Sequence, residues 1–417
     1  MNRPRLRVLF VIKNLQQGGT EGQLLQMLET LDPSIFEYRL VTVQSEVHYA
    51  GLPQNGFIGS LDARCSDRRL PHRLAAVIDH YRPDLVHSFR DRVNLCIWRA
   101  LRQSHHQPAV LMSVRGRPIY PQYLAMARRL SARCFKLTVN SQSVADALAR
   151  LGRVPRDRIE IIHNVSDAER HRPPTEAQRA QARRALGLQA GDGGFALLCP
   201  ARLSFVKNQI GLVLSLALLK RQRRLPANFR LLLPGRVRDR LSDSLTRFLI
   251  RACGLADIVD LPGPIADLSP YYHAADALVL PSWAEGMPNV SLEAHLSGLP
   301  AIVSGQANRD EIVADGETGF VVPTGRPWAL AEAIARAIAL PPAERRAMGA
   351  RGRDRVLRMF PREQALEKMT RLYLQAIAAR GAGVAALAPV RRLPDRLTPV
   401  PAAAAPADRP TRAARVP

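Results

Sequence analysis

Short, nearly continuous apolar segments alternate with helical patterns along the first half of the chain. Segments of strand length occur at residues 8–12, 39–43, 85–87, 110–114, 137–140 and 159–163. Apolar strands separated by helices are typical of a parallel sheet that is covered on both faces. The pattern therefore predicts one Rossmann-like unit of the α/β class.

A second series of the same kind follows a polar stretch at residues 166–185. Its strand candidates are residues 196–200, 230–233, 258–261, 277–280, 301–304 and 320–322, and helical patterns continue at 328–340 and 361–379. A chain of 417 residues exceeds the roughly 250 to 300 residues of one hydrophobic core. We expect two doubly wound domains with a cleft between them, where ligands bind at the carboxyl ends of the strands.

These patterns predict domain boundaries. We expect Rossmann-like domains at 1–168 and 186–360, a linker at 169–185, and a C-terminal helix at 361–380 that could pack back on the N-terminal domain. Residues 381–417 contain seven prolines, and six arginines less two aspartates leave a charge of +4. Such a tail cannot bury enough apolar surface to offset its ordering entropy, so we expect it to be disordered.

The overall charge restricts the partners without choosing one. Lys and Arg number 60 against 36 Asp and Glu, a net charge of +24. This favours an anionic partner such as nucleic acid, an acidic bilayer or a phosphorylated substrate. Arginine usage spread along the whole chain is an equally good explanation.

The cysteines and the apolar runs favour a cytoplasmic location. The cysteines are scattered, without the spacing of a metal site or a redox dithiol: Cys65, Cys96, Cys134, Cys199 and Cys253. The start of the chain lacks the pattern of a secretory signal, and the longest apolar runs, such as 210–219, are too short to span a membrane. We expect a cytoplasmic protein, with any contact at the inner face of the plasma membrane being peripheral.

The most informative motif is PSWAEGMPNVSLEA at residues 281–294, which joins a strand end to a helix. Gly286 allows a tight turn with unusual dihedral angles, and Pro288 suits a first-turn position. A helix that starts near Asn289 presents free backbone N–H groups, which favour a phosphate. Glu285 and Glu293 can border the same pocket and bind sugar hydroxyls, although two glutamates alone would be ordinary surface residues.

This segment resembles glycosyltransferase family 4, and the resemblance extends over residues 7–379. It implies a GT-B fold, in which two Rossmann-like domains face a central cleft, with an acceptor domain first and a nucleotide-sugar domain second. It also implies that Glu285 contacts the donor sugar and Glu293 the ribose hydroxyls. Backbone groups of the following residues would line the sugar and diphosphate: Gly286, Met287, Pro288, Asn289 and Val290.

A second segment, PARLSFVKN at residues 200–208, places Arg202 and Lys207 just after a predicted strand. Two cations there can stabilise a departing diphosphate where other enzymes use a metal, and the pair resembles the diphosphate clamp of the family. The sequence contains no D-x-D motif. We therefore predict a reaction without metal or cofactor.

A third segment, Gly18-Gly19-Thr20, resembles the glycine-rich loop with which the family's acceptor domain approaches the donor phosphates. Thr20 and Gln23 fit a capping box, so a purely structural turn explains the segment almost as well. The G-x-G-x-x-G fingerprint of dehydrogenases is absent.

The sequence departs from the family at Phe89, where many relatives have a second histidine near the reacting sugar. His87 remains as a candidate catalytic or positioning residue, and Arg90 and Asp91 are alternatives. His163 and Asn164 resemble a turn of the family, for which we favour a structural role.

Two basic features could serve an acceptor or a membrane. Arg115 follows a strand end and could pair with an acceptor phosphate. The stretch 120–136 interleaves apolar and basic residues, as in a helix at a membrane surface, although packing on the sheet explains it slightly better.

We therefore expect a retaining, metal-independent hexosyltransferase that moves a sugar from a UDP- or GDP-sugar to a glycan or lipid-linked acceptor in polysaccharide or glycolipid biosynthesis. The main alternative is a catalytically idle GT-B protein that binds a nucleotide sugar or glycan. A nucleotide-sugar epimerase matches the motifs less well, and a nucleic-acid binder lacks a recognisable reader motif.

Overall fold

The computed structural model describes residues 5–16, 18–47, 56–116, 120–189 and 194–380. Contacts divide the chain into two compact units. The first unit contains the described parts of Met1–Ser113, Arg129–Leu137 and Leu372–Pro417, and the second contains those of Val114–Arg128 and Thr138–Arg371. The tail at 381–417 lies outside the described residues, so its predicted disorder stays a prediction.

The first sheet has the strand order β3-β2-β1-β4-β5-β6-β7 in the described part of the chain. Its strands are β1 (Leu6–Ile12), β2 (Phe36–Thr42), β3 (Phe57–Ser60), β4 (Leu85–Phe89), β5 (Ala109–Val114), β6 (Lys136–Val139) and β7 (Ile159–Ile161). The helices along this part are α1 (Gly19–Leu28), α2 (Leu70–Tyr81), α3 (Asp91–Leu101), α4 (Pro121–Ser131) and α5 (Gln142–Asp146). β1 pairs in parallel with both β2 and β4, so the strand order reverses beside β1.

The second sheet has the order β10-β9-β8-β11-β12-β13 and lies in the second unit. Its strands are β8 (Phe195–Leu198), β9 (Phe229–Pro234), β10 (Val259–Gly263), β11 (Ala277–Leu280), β12 (Ala301–Ser304) and β13 (Gly319–Val322). The helices of this half are α6 (Glu176–Ala185), α7 (Gln209–Arg221), α8 (Arg240–Ala252), α9 (Ser269–Ala274), α10 (Asn289–Leu296), α11 (Pro327–Ala339), α12 (Pro342–Met359) and α13 (Arg362–Ala379).

Both faces of the second sheet are buried, as the apolar strand pattern predicts. Leu197 of β8 belongs to one hydrophobic cluster, and its neighbour Leu198 belongs to another. Successive side chains of a strand point to opposite faces, so each face has its own core. The two parallel sheets with flanking helices confirm the α/β GT-B fold with two Rossmann-like domains.

The structure adds elements that the pattern did not predict. β3 forms at residues 57–60, and α6 forms within the stretch that we interpreted as a linker. α6 is docked through Arg179 and Arg183, whose guanidinium groups bind the buried carboxylate of Asp276 at 2.7 and 3.2 Å. α6 is therefore attached through ion pairs. A search for periodic apolar residues does not detect a helix that is attached in this way.

The C-terminal helix α13 contributes to the core of the first unit. Leu372, Tyr373 and Ala376 are buried, and the Tyr373 hydroxyl lies 2.7 Å from Nδ1 of His87. Among the described residues, no helix combines the length and apolarity that crossing a bilayer requires.

Candidate functional site

Two loops of the second unit leave neighbouring strands at the point where the strand order reverses. Residues 199–208 follow β8, and residues 281–288 follow β11, which pairs with β8 in parallel. Connections diverge at such a switch point and leave a crevice beyond the strand ends, the usual ligand position in doubly wound sheets. The two most informative motifs of the sequence occupy these two loops.

The loops are bonded to each other at three places. Lys207 Nζ lies 2.5 Å from Glu285 Oε1, and each side chain is about 15% exposed. The Trp283 backbone N–H donates to the Val206 carbonyl at 2.8 Å. Asn208 Nδ2 donates to the Pro281 carbonyl, while its Oδ1 caps the start of α7. The structure thus brings Lys207 and Glu285 into one ion pair.

Arg202 lies in the same loop as Lys207 and is half-buried. Its carbonyl accepts a hydrogen bond from Gln209 Nε2 at 2.9 Å, which joins the loop to the first turn of α7. The backbone around Arg202 is therefore fixed from the helix side.

Gly286 is required for close approach rather than for its dihedral angles. Its φ is not positive, so the left-handed conformation that favours glycine is not adopted there. A Cβ at this position would lie 2.9 Å from Asn140 Oδ1 and 3.2 Å from the Gly116 Cα. The loop packs so tightly against these two residues that a side chain would require Asn140 or the Gly116 backbone to shift.

Asn164 is hydrogen-bonded to the same loop. The sequence predicted only a structural role in a turn for this residue. Its Nδ2 donates to the Met287 carbonyl at 2.9 Å and to Asn289 Oδ1 at 2.5 Å. Arg115 Nη1 donates to Asn164 Oδ1 at 2.9 Å. Arg115 and Asn164 therefore position residues 287–289. A lone asparagine after a strand gives no signal of this role in the sequence.

The start of α10 has the features of an anion site. Pro288 is the N-cap residue, and no side chain caps the helix. The first-turn N–H groups and the helix dipole favour negative charge there. The expected helix start near Asn289 is confirmed, with Pro288 one residue outside the first turn.

Glu293 lies in the second turn of α10 and is half-buried. The Tyr272 hydroxyl, on α9, donates to Glu293 Oε2 at 2.7 Å. Burial, together with the charge of Glu293, raises the pKa of Tyr272 well above its ordinary value. Tyr272 therefore stays protonated and remains a donor to the carboxylate across the neutral range. The His171 ring contacts Tyr272 edge-on, with centroids 5.7 Å apart.

The glycine-rich segment occupies the corresponding place in the first unit. Gly18 is the N-cap of α1 and Gly19 its first residue, just beyond the end of β1. The N-cap residue is Gly18, which has no side chain, so the capping box with Thr20 as the N-cap residue is wrong. The reason is that the helix begins one residue before Thr20. Arg90, which follows β4, pairs with Glu21 of α1 at 2.5 Å.

His87 lies in the interior of the first unit. Its ring has no exposed surface, and its nitrogens are bonded to the Tyr373 hydroxyl and to Ser113 Oγ at 2.7 and 2.9 Å. Phe89 is equally buried and packs on the imidazole, with ring centroids 4.4 Å apart. Burial raises the pKa of Asp91, the first residue of α3. A catalytic role for His87 stays a prediction, and its contacts favour positioning.

A cavity lies elsewhere in the second unit. It has a volume of about 570 Å³ and is lined by residues of α7, α11 and β13, including Leu218, Phe320, Trp328 and Arg336. None of the predicted site residues lines it. No residue of the two strand-end loops lines this cavity. The loops therefore match the predicted binding of a diphosphate better than the cavity does.

Comparison with known proteins gives two family matches. Residues 18–170 match the model described as Glycosyltransferase Family 4, and residues 194–339 match the one described as Glycosyl transferases group 1. EpsD of Bacillus subtilis, named as a glycosyltransferase, is 29% identical over 315 residues, which are 72% of this chain and 79% of EpsD. A D-inositol 3-phosphate glycosyltransferase of Pseudarthrobacter chlorophenolicus is 31% identical over 189 residues, 45% of this chain and 43% of that relative.

Solved structures share the fold at low sequence identity. HepE of Anabaena, in complex with UDP and glucose, has a TM-score of 0.76 at 17% identity, covering 89% of this chain and all of HepE. Sucrose-phosphate synthase of Thermosynechococcus elongatus has a TM-score of 0.74 at 22% identity, covering 90% of this chain and all of the synthase.

Proposed function

We propose a specific transfer reaction for this chain, which belongs to glycosyltransferase family 4. The donor is a nucleotide diphosphate sugar of the hexose type, bound at the strand-end loops of the second unit. The acceptor is a glycan or a lipid-linked sugar in polysaccharide or glycolipid biosynthesis. The HepE structures contain UDP and UDP-glucose, which supports a UDP-sugar as the first donor to test.

The observation that carries this proposal is the contact between Lys207 and Glu285 across the switch point. With a donor present, Lys207 and Arg202 would bind the diphosphate, whose negative charge grows as the glycosidic bond breaks. Glu285 would turn to the sugar hydroxyls. Cations fixed in a half-buried loop stabilise a departing diphosphate without a metal.

The remaining donor contacts would come from α10 and the loop before it. Glu293 would accept hydrogen bonds from the ribose hydroxyls, while backbone groups from Gly286 to Val290 would contact the sugar and the diphosphate. Asn164 donates a hydrogen bond to this loop, and groups that are held in place before binding lose less entropy when the donor binds.

We propose that the reaction proceeds with retention by front-face attack. The bond from the anomeric carbon to the diphosphate oxygen breaks, the acceptor oxygen bonds to the same face of that carbon, and the departing oxygen takes the acceptor proton. Gly18 and Gly19 would approach the donor phosphates from the acceptor domain, and His87 would position groups of that domain. The place of action is the cytoplasm, at the inner face of the plasma membrane for a lipid-linked acceptor.

The proposal is tested with Lys207→Ala and Glu293→Ala, using Lys368→Ala as the matched control. Lys368 also pairs with a glutamate, Glu160, but its side chain on α13 is 47% exposed. Each site variant should weaken donor binding roughly tenfold or more, because a hydrogen bond to a charged group is lost. Binding is measured by calorimetry after a thermal-shift screen of nucleotide sugars, and folding by the melting temperature.

Turnover separates the proposal from its main alternative. Mass spectrometry should detect acceptor-dependent release of the nucleotide, and a chelator should leave its rate unchanged. Donor binding without any hydrolysis or transfer would instead favour an idle nucleotide-sugar-binding protein. Unchanged donor affinity in both site variants would refute the site itself.

A further inference from the structure

Helix α8 turns its large apolar side chains to solvent. Leu241, Leu245 and Phe248 are 60%, 38% and 63% exposed, and their spacing places them on one stripe of the helix. The residues that the helix buries are Ser242, Thr246 and Ile250. An amphipathic helix of a globular domain normally buries its apolar face, so this orientation is the reverse of the usual one.

The inward face of α8 explains why the helix sits this way. α8 packs against α7, and its buried serine and threonine are small enough for a close contact. The Thr246 hydroxyl donates to the Ser242 carbonyl at 2.7 Å, so the buried polar group is satisfied within the helix. Ile250 joins the hydrophobic core of the sheet. The orientation is therefore a well-packed one.

Arginines border the apolar stripe. Arg240, Arg247 and Arg251 are seven and four residues apart, which places them along one edge of the stripe, and all three are exposed. Within the described parts of the chain, Arg238, Arg240 and Arg251 have no side-chain hydrogen bond or ion pair, whereas Arg247 pairs with Asp243. Asp239 is engaged in capping the helix. The free charge at the stripe is therefore positive.

We propose that α8 is a membrane-docking helix that lies in the plane of an anionic lipid surface. The stripe would enter the boundary between headgroups and acyl chains, and the arginines would bind anionic headgroups, which is the arrangement of interfacial amphipathic helices. A second copy of the chain fits this face less well. A two-fold contact would bring the same arginines of two chains with charge +24 against each other.

The position of α8 ties this surface to the donor loops. Val237, which precedes the helix and is 45% exposed, forms a bridge with Leu203, next to Arg202. The Arg238 backbone N–H donates to the Leu203 carbonyl at 3.0 Å. A lipid surface on α8 would thus lie close to the loop of Arg202. The inference specifies the membrane contact of the proposed function and rests on it for its biological role. The lipid contact itself is argued only from the exposed residues of α8.

The helix that the sequence suggested for a membrane has a different character. In α4, Ala127 and Leu130 are buried, and Leu124 is half-buried near Gly152. Its apolar residues are thus largely used in packing. We therefore assign the lipid contact to α8.

The test uses the full chain and its Leu241→Ser, Phe248→Ser double variant. Binding is measured by co-sedimentation with vesicles of phosphatidylcholine, with and without phosphatidylglycerol. The native protein should bind the anionic vesicles, and the double variant should bind them roughly tenfold or more weakly. Replacing Arg238, Arg240 and Arg251 by Gln should reduce both the binding and its sensitivity to salt.

The matched control replaces exposed apolar residues of other helices in the same unit, Trp328→Ser and Leu357→Ser, which are 60% and 42% exposed. It should bind as the native protein does. All variants should keep the native melting temperature and the native donor affinity in vesicle-free buffer, so a failure of the lipid contact is distinct from a failure of the donor site.

Two results would overturn the assignment. One is equal vesicle binding by the native protein and the α8 double variant, or no binding by either, since the contact would then lie elsewhere or not exist. The other is a native dimer in light scattering that the double variant abolishes, because the stripe would then bind a second copy.

Discussion

The candidate donor site contains two kinds of residue: those predicted to contact the donor, and those that hold the first kind in position. Glu293 carries the predicted ribose contact, but its carboxylate is oriented by the hydroxyl of a fully buried tyrosine, Tyr272. Asn164 and Arg115 do the same for the loop before α10. Such residues should affect donor affinity more than the chemical step.

We expect Tyr272→Phe to weaken donor binding roughly tenfold and to leave kcat unchanged. Without the hydroxyl, the Glu293 carboxylate loses the hydrogen bond that orients it, but it takes no part in the proposed bond-breaking step. The measurement is donor Kd by calorimetry together with steady-state kinetics. Tyr271→Phe is the matched control, since Tyr271 is also buried and its hydroxyl makes no hydrogen bond among the described residues. Equal donor affinities of the two variants would show that Tyr272 is only a packing residue.

At the scale of elements, the two strand-end loops behave as one piece. The loop after β8 and the loop after β11 share an ion pair and two hydrogen bonds, and the second loop packs on Asn140 and Gly116. Substitutions that open this packing should change the shape of the site without touching a ligand group.

Gly286→Ala should destabilise the protein by about 1–3 kcal/mol or displace the loop and weaken donor binding, because the new methyl group meets Asn140 Oδ1 and the Gly116 Cα. Adding Asn140→Ala should restore part of the loss by removing the nearer contact. Melting temperature and donor affinity are measured for each variant.

Gly305→Ala is the control for that experiment. A Cβ at Gly305 has its nearest neighbour, the Val322 carbonyl oxygen, at 3.9 Å, and its φ is not positive. If both glycine variants melted and bound the donor alike, the close-packing argument for Gly286 would be wrong.

At the scale of the whole molecule, buried histidines should make the fold sensitive to acid. Burial lowers the pKa of His295 to about 4, and burial also lowers the pKa values of His163, His171 and His273. Between an unfolded pKa near 6.5 and the folded value, the unfolded chain binds a proton that the folded chain excludes. Stability should therefore fall as the pH drops through this window.

For His295 alone, the free energy of unfolding should be about 2 kcal/mol lower at pH 5 than at pH 7. His295→Asn should remove this share of the pH dependence, while the other histidines contribute equally to both proteins. The measurement is urea unfolding followed by tryptophan fluorescence, since Trp283 and Trp328 report on the second unit. His72→Asn, at an exposed position, is the control, and an unchanged pH slope in His295→Asn would contradict the prediction.

The sequence predicted most strands and both site loops because their signals are local. Apolar runs mark buried parallel strands, and segments 200–208 and 281–294 combine a strand end with turn residues and charges. It missed β3, which is four residues long, and α6, which is docked by arginines on Asp276. It also misread Gly286, because a close approach of distant residues leaves no mark near the glycine.

The sequence alone determined that this is an α/β chain of two Rossmann-like units, with the candidate site loops at strand ends. The tertiary structure decided which faces and side chains are left for function. In α8 an amphipathic arrangement would normally bury Leu241 and Phe248, but the helix packs against α7 and buries the smaller Ser242 and Thr246 instead. Local patterns state which residues are apolar, whereas the shape of the neighbouring elements selects the face that is buried.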